Sequence, residues 1–415
     1  MCYSSLAIAI DMENEIRSWL SVILKDNIDN LSLHIVGNSE KGDGYVGDII
    51  FVTLTSEKGK SNPEYSLVLK CSKRSQVLRD SAPVKEAFIN EIYIYEKVLP
   101  AFTQFQTAKN IRNPFNSVPK CYGTLVTDNM EIIVFENLKS KGYTLWDKKK
   151  PLTRNHIEMV IEEYAKFHAV SIAMNDQQPE KFGQLIDGFV DIFKCFLEST
   201  DCETLFGNNV DDIHGLLKDE LDDKTLDVWK SFRKQINYIF TEMIQEMNGV
   251  KVIRHGDCWC NNFMFKHDNK NNILPLEVAI LDWQISVYSS PILDLSYFVF
   301  ASISKDDIDD LNDILEQYYE KLKFYTTQLG SNLDVLYPKQ EFLNDWRKYC
   351  KFGILMSSLV FKICATEKDE VLDIADAAES GNDFGKAFDY EVKNKSALKN
   401  RAKYVVQYVV KNNLI

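Results

Sequence analysis

The sequence predicts an α+β fold in two parts: a β-rich first third with one main helix, then a larger, mostly helical remainder. Three observations predict it. Short runs rich in β-branched and aromatic residues, separated by turn-forming text, fill residues 31–70. One run with helical period, 84–102, follows them. From residue 154 onward helical spacing dominates, broken by a few short strands. At 415 residues, 45% apolar and 26% charged, the chain can bury a sizeable core.

LSLHIVG (31–37) reads as a strand and NSEKGDGYVG (38–47) as a turn-rich loop. DIIFVTLTS (48–56) and EYSLVLK (64–70) are two more strands. In VKEAFINEIYIYEKVLPAF (84–102), Ala87, Phe88, Glu91, Ile92, Tyr95, Val98 and Leu99 fall at helical spacing, and Pro100 is expected to end the helix. VPKCYGTL and EIIVFENL (131–138) return to strand. KSKGYTL (139–145) reads as a connector, which divides the chain into lobes 1–139 and 140–415. RNHIEMVIEEYAKFHAVSIAM (154–174) is a long amphipathic helix, and two or three more helices are expected in 181–247. A strand, VKVIR (250–254), leads into HGDCWCNNFMF (255–265). NFMFK (262–266) and PLEVAILDW (275–283) are short strands, and 291–415 is again mainly helical.

The net charge of −13 argues against nucleic acid as the main partner, because a phosphate backbone needs clustered Lys and Arg. The nine cysteines are odd in number and scattered, as reduced and mostly buried thiols of a cytosolic protein would be. The opening MCYSSLAIAIDMENE has no basic leader, so no secretory signal is read there. No stretch reaches the roughly 18 uninterrupted apolar residues of a membrane helix. A soluble, cytoplasmic protein without membrane association is expected.

Gly42, Gly44 and Gly47 form a GxGxxG pattern between two strands. It is either a hairpin turn or a loop that lets the backbone approach phosphate oxygens. Lys70 ends the third strand, and Glu91 lies on the apolar face of the next helix, where a carboxylate needs a partner. A strand Lys paired with a helix Glu is one way to hold nucleotide phosphates. Asp257 and Asn262 are five residues apart in a loop, an interval suited to a hydroxyl-orienting base and a magnesium ligand. Asp282 follows an apolar strand and is a second magnesium ligand candidate. The competing reading is zinc on His255, Cys258, Cys260 and His267, although Cys-x-Cys is an unusual zinc spacing. Cys258, Cys260, Trp259 and His168 fit a core role, and His255 a brace for its loop. Asp294 either caps its helix or reaches back to hold the catalytic loop.

Taken in order, these residues resemble the choline kinase and aminoglycoside phosphotransferase superfamily, and within it the ecdysteroid kinase-like (CHK kinase-like) family. FINEIYIYEKVLP (88–100), IVFENL (133–138), AKFHAVSIAM (165–174), HGDCWCNNFMF (255–265), ILDWQ (280–284) and ILDLSYF (292–298) carry the resemblance. It implies a two-lobed protein-kinase-like fold and transfer of the γ-phosphoryl group of ATP, with Mg2+, to an alcohol. It implies Asp257 as base, Asn262 and Asp282 as magnesium ligands, and Lys70 on the phosphates with Glu91 holding it. Backbone groups of Glu136 to Leu138 would meet the adenine. Gly47 departs from the family pattern, which has a small polar residue there. The implied acceptor is an ecdysteroid hydroxyl. Choline, ethanolamine or a xenobiotic alcohol are alternatives, as is a kinase-fold protein that binds without turnover. The short span between Asp282 and Asp294 leaves no room for a protein-kinase activation loop.

Overall fold

Helix α1 (Cys2–Leu24) precedes a five-stranded antiparallel sheet of β1 (Leu31–Asn38), β2 (Gly47–Ser56), β3 (Tyr65–Ser72), β4 (Cys121–Val126) and β5 (Glu131–Glu136), ordered β1-β2-β3-β5-β4. The structure, a computed structural model, describes residues 2–25, 28, 30–38, 47–56, 65–199, 201–245, 248–268, 271–367 and 390–415. Strand alternation sorts the sheet into two faces. Leu67, Leu69 and Cys71 of β3 join Ile132 and Val134 of β5 in an apolar cluster with Ile16, Leu20 and Ile23 of α1. The alternate residues, Val68, Ile133 and Phe135, turn to the other side and pack toward the rest of the molecule. Lys70 shares that face and sits opposite Ile49 and Ile133. A slip of one residue in this register would turn Lys70 away from the cleft.

The sequence reading assigned no element to the N-terminus, yet α1 covers one face of the sheet. Ile16, Leu20 and Ile23 recur at helical spacing, so the signal was present.

Beyond β3 come α2 (Gln76–Ser81) and α3 (Val84–Tyr93), a π turn (Ile94–Val98) and α4 (Leu99–Ala108). Pro100 does not end the helical run as expected; it lies in the first turn of α4. The wider π turn just before it gives the proline ring room against the preceding carbonyls, and the helix continues.

The second part is built on α5 (Arg154–Gln177), buried without a break from Glu163 to Met174. β6 (Tyr143–Leu145) precedes it. Helices α6 (Pro179–Ile186), α7 (Ile192–Ser199), α8 (Cys202–Leu217), α9 (Asp223–Phe232) and α10 (Ile236–Tyr238) follow. Four short strands come next: β7 (Val252–Arg254), β8 (Phe263–Asp268), β9 (Asn271–Ile280) and β10 (Val287–Ser289). They form a β6-β8-β9 sheet and a β7-β10 ribbon, which hold the two ends of the motif at 255–265. Helices α11 (Pro291–Ser302), α12 (Leu311–Gln328), α13 (Leu333–Leu336), α14 (Lys339–Ala365) and a last helix, Lys395–Lys411, complete the chain. This is the two-part α+β architecture the sequence predicts. Among the described residues no helix is long and apolar enough to cross a membrane.

Helix α11 is buried along its whole length and crosses α14 in direct backbone contact at Gly353. A Cβ there would lie 2.2 Å from the carbonyl carbon of Ser296 and 2.5 Å from the Tyr297 amide nitrogen. Backbone cannot yield as a side-chain tip can, so Gly353→Ala must push the helices apart. A loss of about 2 kcal/mol or more is expected. It would be read as a lower urea midpoint; an unchanged midpoint would show that the crossing has slack.

Candidate active site

The register of β3 and the apolar face of α3 bring Lys70 and Glu91 together as the sequence predicts. Lys70 Nζ lies 2.5 Å from Glu91 Oε2 and donates to Asp282 Oδ1 at 2.9 Å. The Trp283 amide donates to Glu91 Oε1 at 3.4 Å. Burial alone would lower the Lys70 ammonium pKa, but Asp282 and Glu91 outweigh it and hold it above the ordinary value. Burial also pushes the Glu91 carboxyl up to about 7, opposed by Lys70 and aided by Asp282. With one cation between two acids, the proton stays on the lysine and the pair is ionic.

Asp282 follows β9 with φ +61°, a left-handed conformation that Asp adopts more readily than most residues. It delivers its carboxylate to the same cleft as the catalytic-loop candidates. Asp257 Oδ2 accepts from Asn262 Nδ2 at 2.7 Å and from Trp259 Nε1 at 3.2 Å. Asp257 Oδ1 accepts from the Tyr297 hydroxyl at 3.1 Å. Asn262 Nδ2 also donates to the Asp257 carbonyl at 3.0 Å, so the amide nitrogen faces the loop. Partial burial raises the Asp257 pKa, and the nearby charge of Asp282 adds to the rise.

A buried carboxylate holds this loop. Asp294, without exposure, accepts from the His255 amide at 2.6 Å and the Gly256 amide at 3.0 Å. His168 Nε2 is 3.3 Å from its Oδ2, and Arg254 Nη1 is 3.7 Å from its Oδ1. Burial would raise the Asp294 carboxyl, but His168, Arg254 and His255 bring it down to about 2. Gly256 has φ +97°, and a Cβ on it would meet the Ile285 carbonyl oxygen at 2.4 Å, so glycine is required there. His255 Nε2 faces the Leu281 and Asp282 carbonyls at 2.8 and 2.9 Å, so this nitrogen carries the proton and donates. The motif and the turn after β9 are thereby tied together.

Lys70, Glu91, Glu136, Leu138, Asn262 and Asp282 line one cavity. Its walls include Ile49, Phe51, Val68, Met264 and Leu281. Asp257 stands behind Asn262, bonded to it. At the end of β5 the Glu136 amide donates to the Lys120 carbonyl, and just beyond it the Asn137 amide donates to the Ser66 carbonyl. Leu138 opens a 3-10 turn (Leu138–Lys141), and a first-turn amide has no partner within its own helix. Gly47 opens β2 and is not a lining residue; it packs against Phe88 and the Cys71 carbonyl. Gly42 and Gly44 lie outside the described residues.

The zinc reading is not met. Among the described residues no group of three or more His, Cys, Asp or Glu could hold a metal ion. His255 is committed to carbonyls, Cys260 faces Cys364, and His267 meets His156 with the two Nε2 atoms 2.9 Å apart.

A model of the ecdysteroid kinase-like family matches residues 41–331, well over half of the chain. The chain belongs to the ecdysteroid kinase-like family. The match spans Lys70, Glu91, Asp257, Asn262, Asp282 and Asp294, and its class is that of a kinase-like phosphotransferase. Among curated proteins no match is found. The fold is similar to a solved aminoglycoside 2'-phosphotransferase-IIIa mutant in complex with GDP, at TM-score 0.43 and 11% identity, covering 97% of this chain and 98% of that one. A glucosamine kinase is similar at TM-score 0.39 and 9% identity, covering 95% and 84%.

Two contacts of Asp257 escaped the sequence reading. Trp259 was assigned to the core; it is buried at 6% exposure, but its indole N–H also reaches the aspartate. Tyr297 lies in ILDLSYF (292–298), one of the blocks that carry the resemblance, with no role of its own assigned. Its position three residues after Asp294, on the same face of α11, was the available signal.

Proposed function

We propose that this member of the family transfers the γ-phosphoryl group of ATP, with Mg2+, to an alcohol hydroxyl of a small molecule, and that the acceptor is an ecdysteroid. Residues 1–139 act as the nucleotide lobe and 140–415 as the catalytic and acceptor lobe of a cytoplasmic enzyme. One observation carries the reading: Lys70, tied to Glu91 and Asp282, shares a cavity with Asn262, which is bonded to Asp257.

The apolar walls suit a purine, and the Glu136–Leu138 backbone suits its polar edge. Asp282 and the amide oxygen of Asn262 are hard donors, and two protein oxygens plus phosphates are a usual set for magnesium. Bound there, the metal would neutralise charge on the β- and γ-phosphates. Lys70 neutralises phosphate charge, and Glu91 fixes the direction of its ammonium. Asp257 orients the acceptor hydroxyl and takes its proton as the new oxygen–phosphorus bond forms and the bond from the γ-phosphorus to ADP breaks, ADP leaving. Little covalent help is needed, so positioning supplies most of the rate.

The test is phosphoryl transfer from γ-labelled ATP with magnesium to ecdysone, 20-hydroxyecdysone, choline and ethanolamine. Label on an ecdysteroid is the expected result. Label on choline alone would replace the acceptor. Nucleotide binding with no transfer to any acceptor, and no ATP hydrolysis, would overturn the enzyme reading in favour of a binding protein.

A further inference from the structure

Asp257 is held by three donors, and their division between its two oxygens is unequal. Oδ2 already accepts from Asn262 and Trp259, which fills both of its in-plane lone-pair directions. Oδ1 accepts one bond, from the Tyr297 hydroxyl at 3.1 Å. An acceptor hydroxyl must therefore approach Oδ1, and only on the side that Tyr297 leaves open.

The phenol is held firmly where it stands. Tyr297 is 3% exposed, and Phe352 meets its ring edge-on with centroids 6.3 Å apart. Its backbone lies against Gly353 at the crossing of α11 and α14. Asp294, three residues earlier on the same helix, holds the loop that carries Asp257. One rigid helix thus fixes both the height of the loop and the orientation of its carboxylate. A hydroxyl in this position also fills a place that a water molecule would otherwise take beside the base.

We propose that Tyr297 is a positioning residue for phosphoryl transfer: it confines the acceptor hydroxyl to one side of Asp257 Oδ1 and keeps water from the other. This rests on the reading of Asp257 as the base. Tyr297→Phe keeps the ring and its packing while removing the donor. The probe is Mg-ATP with 20-hydroxyecdysone, or with choline if that is the acceptor the wild type labels. ADP and phosphorylated acceptor are measured separately.

In the variant, kcat for transfer should fall roughly 10- to 100-fold, as for a small misplacement of reacting groups. KM for ATP should stay within about two-fold, since Tyr297 does not line the nucleotide cavity. ADP should form in excess of phosphorylated product, as water reaches the base. Tyr297→Leu should show the same excess, because it also lacks the hydroxyl. A general loss of folded enzyme would lower both products together and leave their ratio at the wild-type value. Unchanged coupling and unchanged kcat in Tyr297→Phe would overturn the inference while leaving the proposed function standing. A wild type that neither transfers nor hydrolyses would overturn both.

Discussion

Asp257→Asn is expected to reduce kcat by about 10²- to 10⁴-fold, the usual contribution of a positioned general base, with ATP affinity nearly unchanged. The substitution is close to isosteric, and its surroundings say how it will settle. Asn262 Nδ2 and Trp259 Nε1 both donate to the Oδ2 position, so the new amide must place its oxygen there. Its nitrogen then faces Tyr297, whose hydroxyl can turn and accept. The loop is kept, and what is lost is an oxygen able to take a proton from the acceptor. The Lys70–Glu91 side of the cleft, the proposed nucleotide side, is untouched. Steady-state transfer and nucleotide titration, run side by side, separate the two effects. A variant within ten-fold of wild-type kcat would remove Asp257 from the role of base.

The second large effect is on stability. Asp294→Asn should cost about 3–5 kcal/mol, because it removes the carboxylate paired, among the described residues, with a buried Arg254 and leaves a donor group facing donors. Among the described residues Nε and Nη1 of Arg254 have no hydrogen-bond partner, and its guanidinium otherwise rests on the Phe352 ring, 5.7 Å from the ring centroid. Urea unfolding at neutral pH measures the loss. The pH dependence gives a second test with a definite sign. The folded Asp294 carboxyl is held at about 2, below its ordinary value of 3.8. The unfolded chain therefore binds this proton first as acid is added. The stabilisation is fully present above about pH 4 and is lost as pH falls toward 2, about 2–3 kcal/mol in all. The wild type should show this decline, and the variant should lack that part of it. A variant within about 1 kcal/mol of wild type at neutral pH would mean that the network is not holding the loop.

The parts of this protein that were legible in its sequence are those set by local period and by order along the chain. Helical spacing in 84–102 placed Glu91 on the apolar face, whereas the face of Lys70 could not be read, because Leu67, Val68 and Leu69 run together without alternation. Asp257, Asn262 and Asp282 were singled out by their interval and order along the chain, and the fold brings Asn262 and Asp282 to one cavity with Asp257 bonded to Asn262. Other features depend on neighbours far away in sequence. The extra residue of the π turn beside Pro100 cannot be read from helical spacing, since it shifts that spacing. Tyr297 looks like any aromatic on an apolar helix until the fold brings Asp257 to its hydroxyl, forty residues away in sequence. Trp259 shows how a residue can pack in a core with its ring and serve a polar site with its nitrogen.

Asp294 takes the amide hydrogens of His255 and Gly256 into a side chain that water does not reach. Those hydrogens can exchange with deuterium only when α11 comes away from the loop. That helix is enclosed along its whole length and seated against the backbone of α14. Its departure is close to unfolding of the helical part, so the two amides should be among the slowest to exchange in the chain. A loop held this way has no slow opening of its own, so under the proposed function any slow motion of a turnover would belong to another part of the molecule.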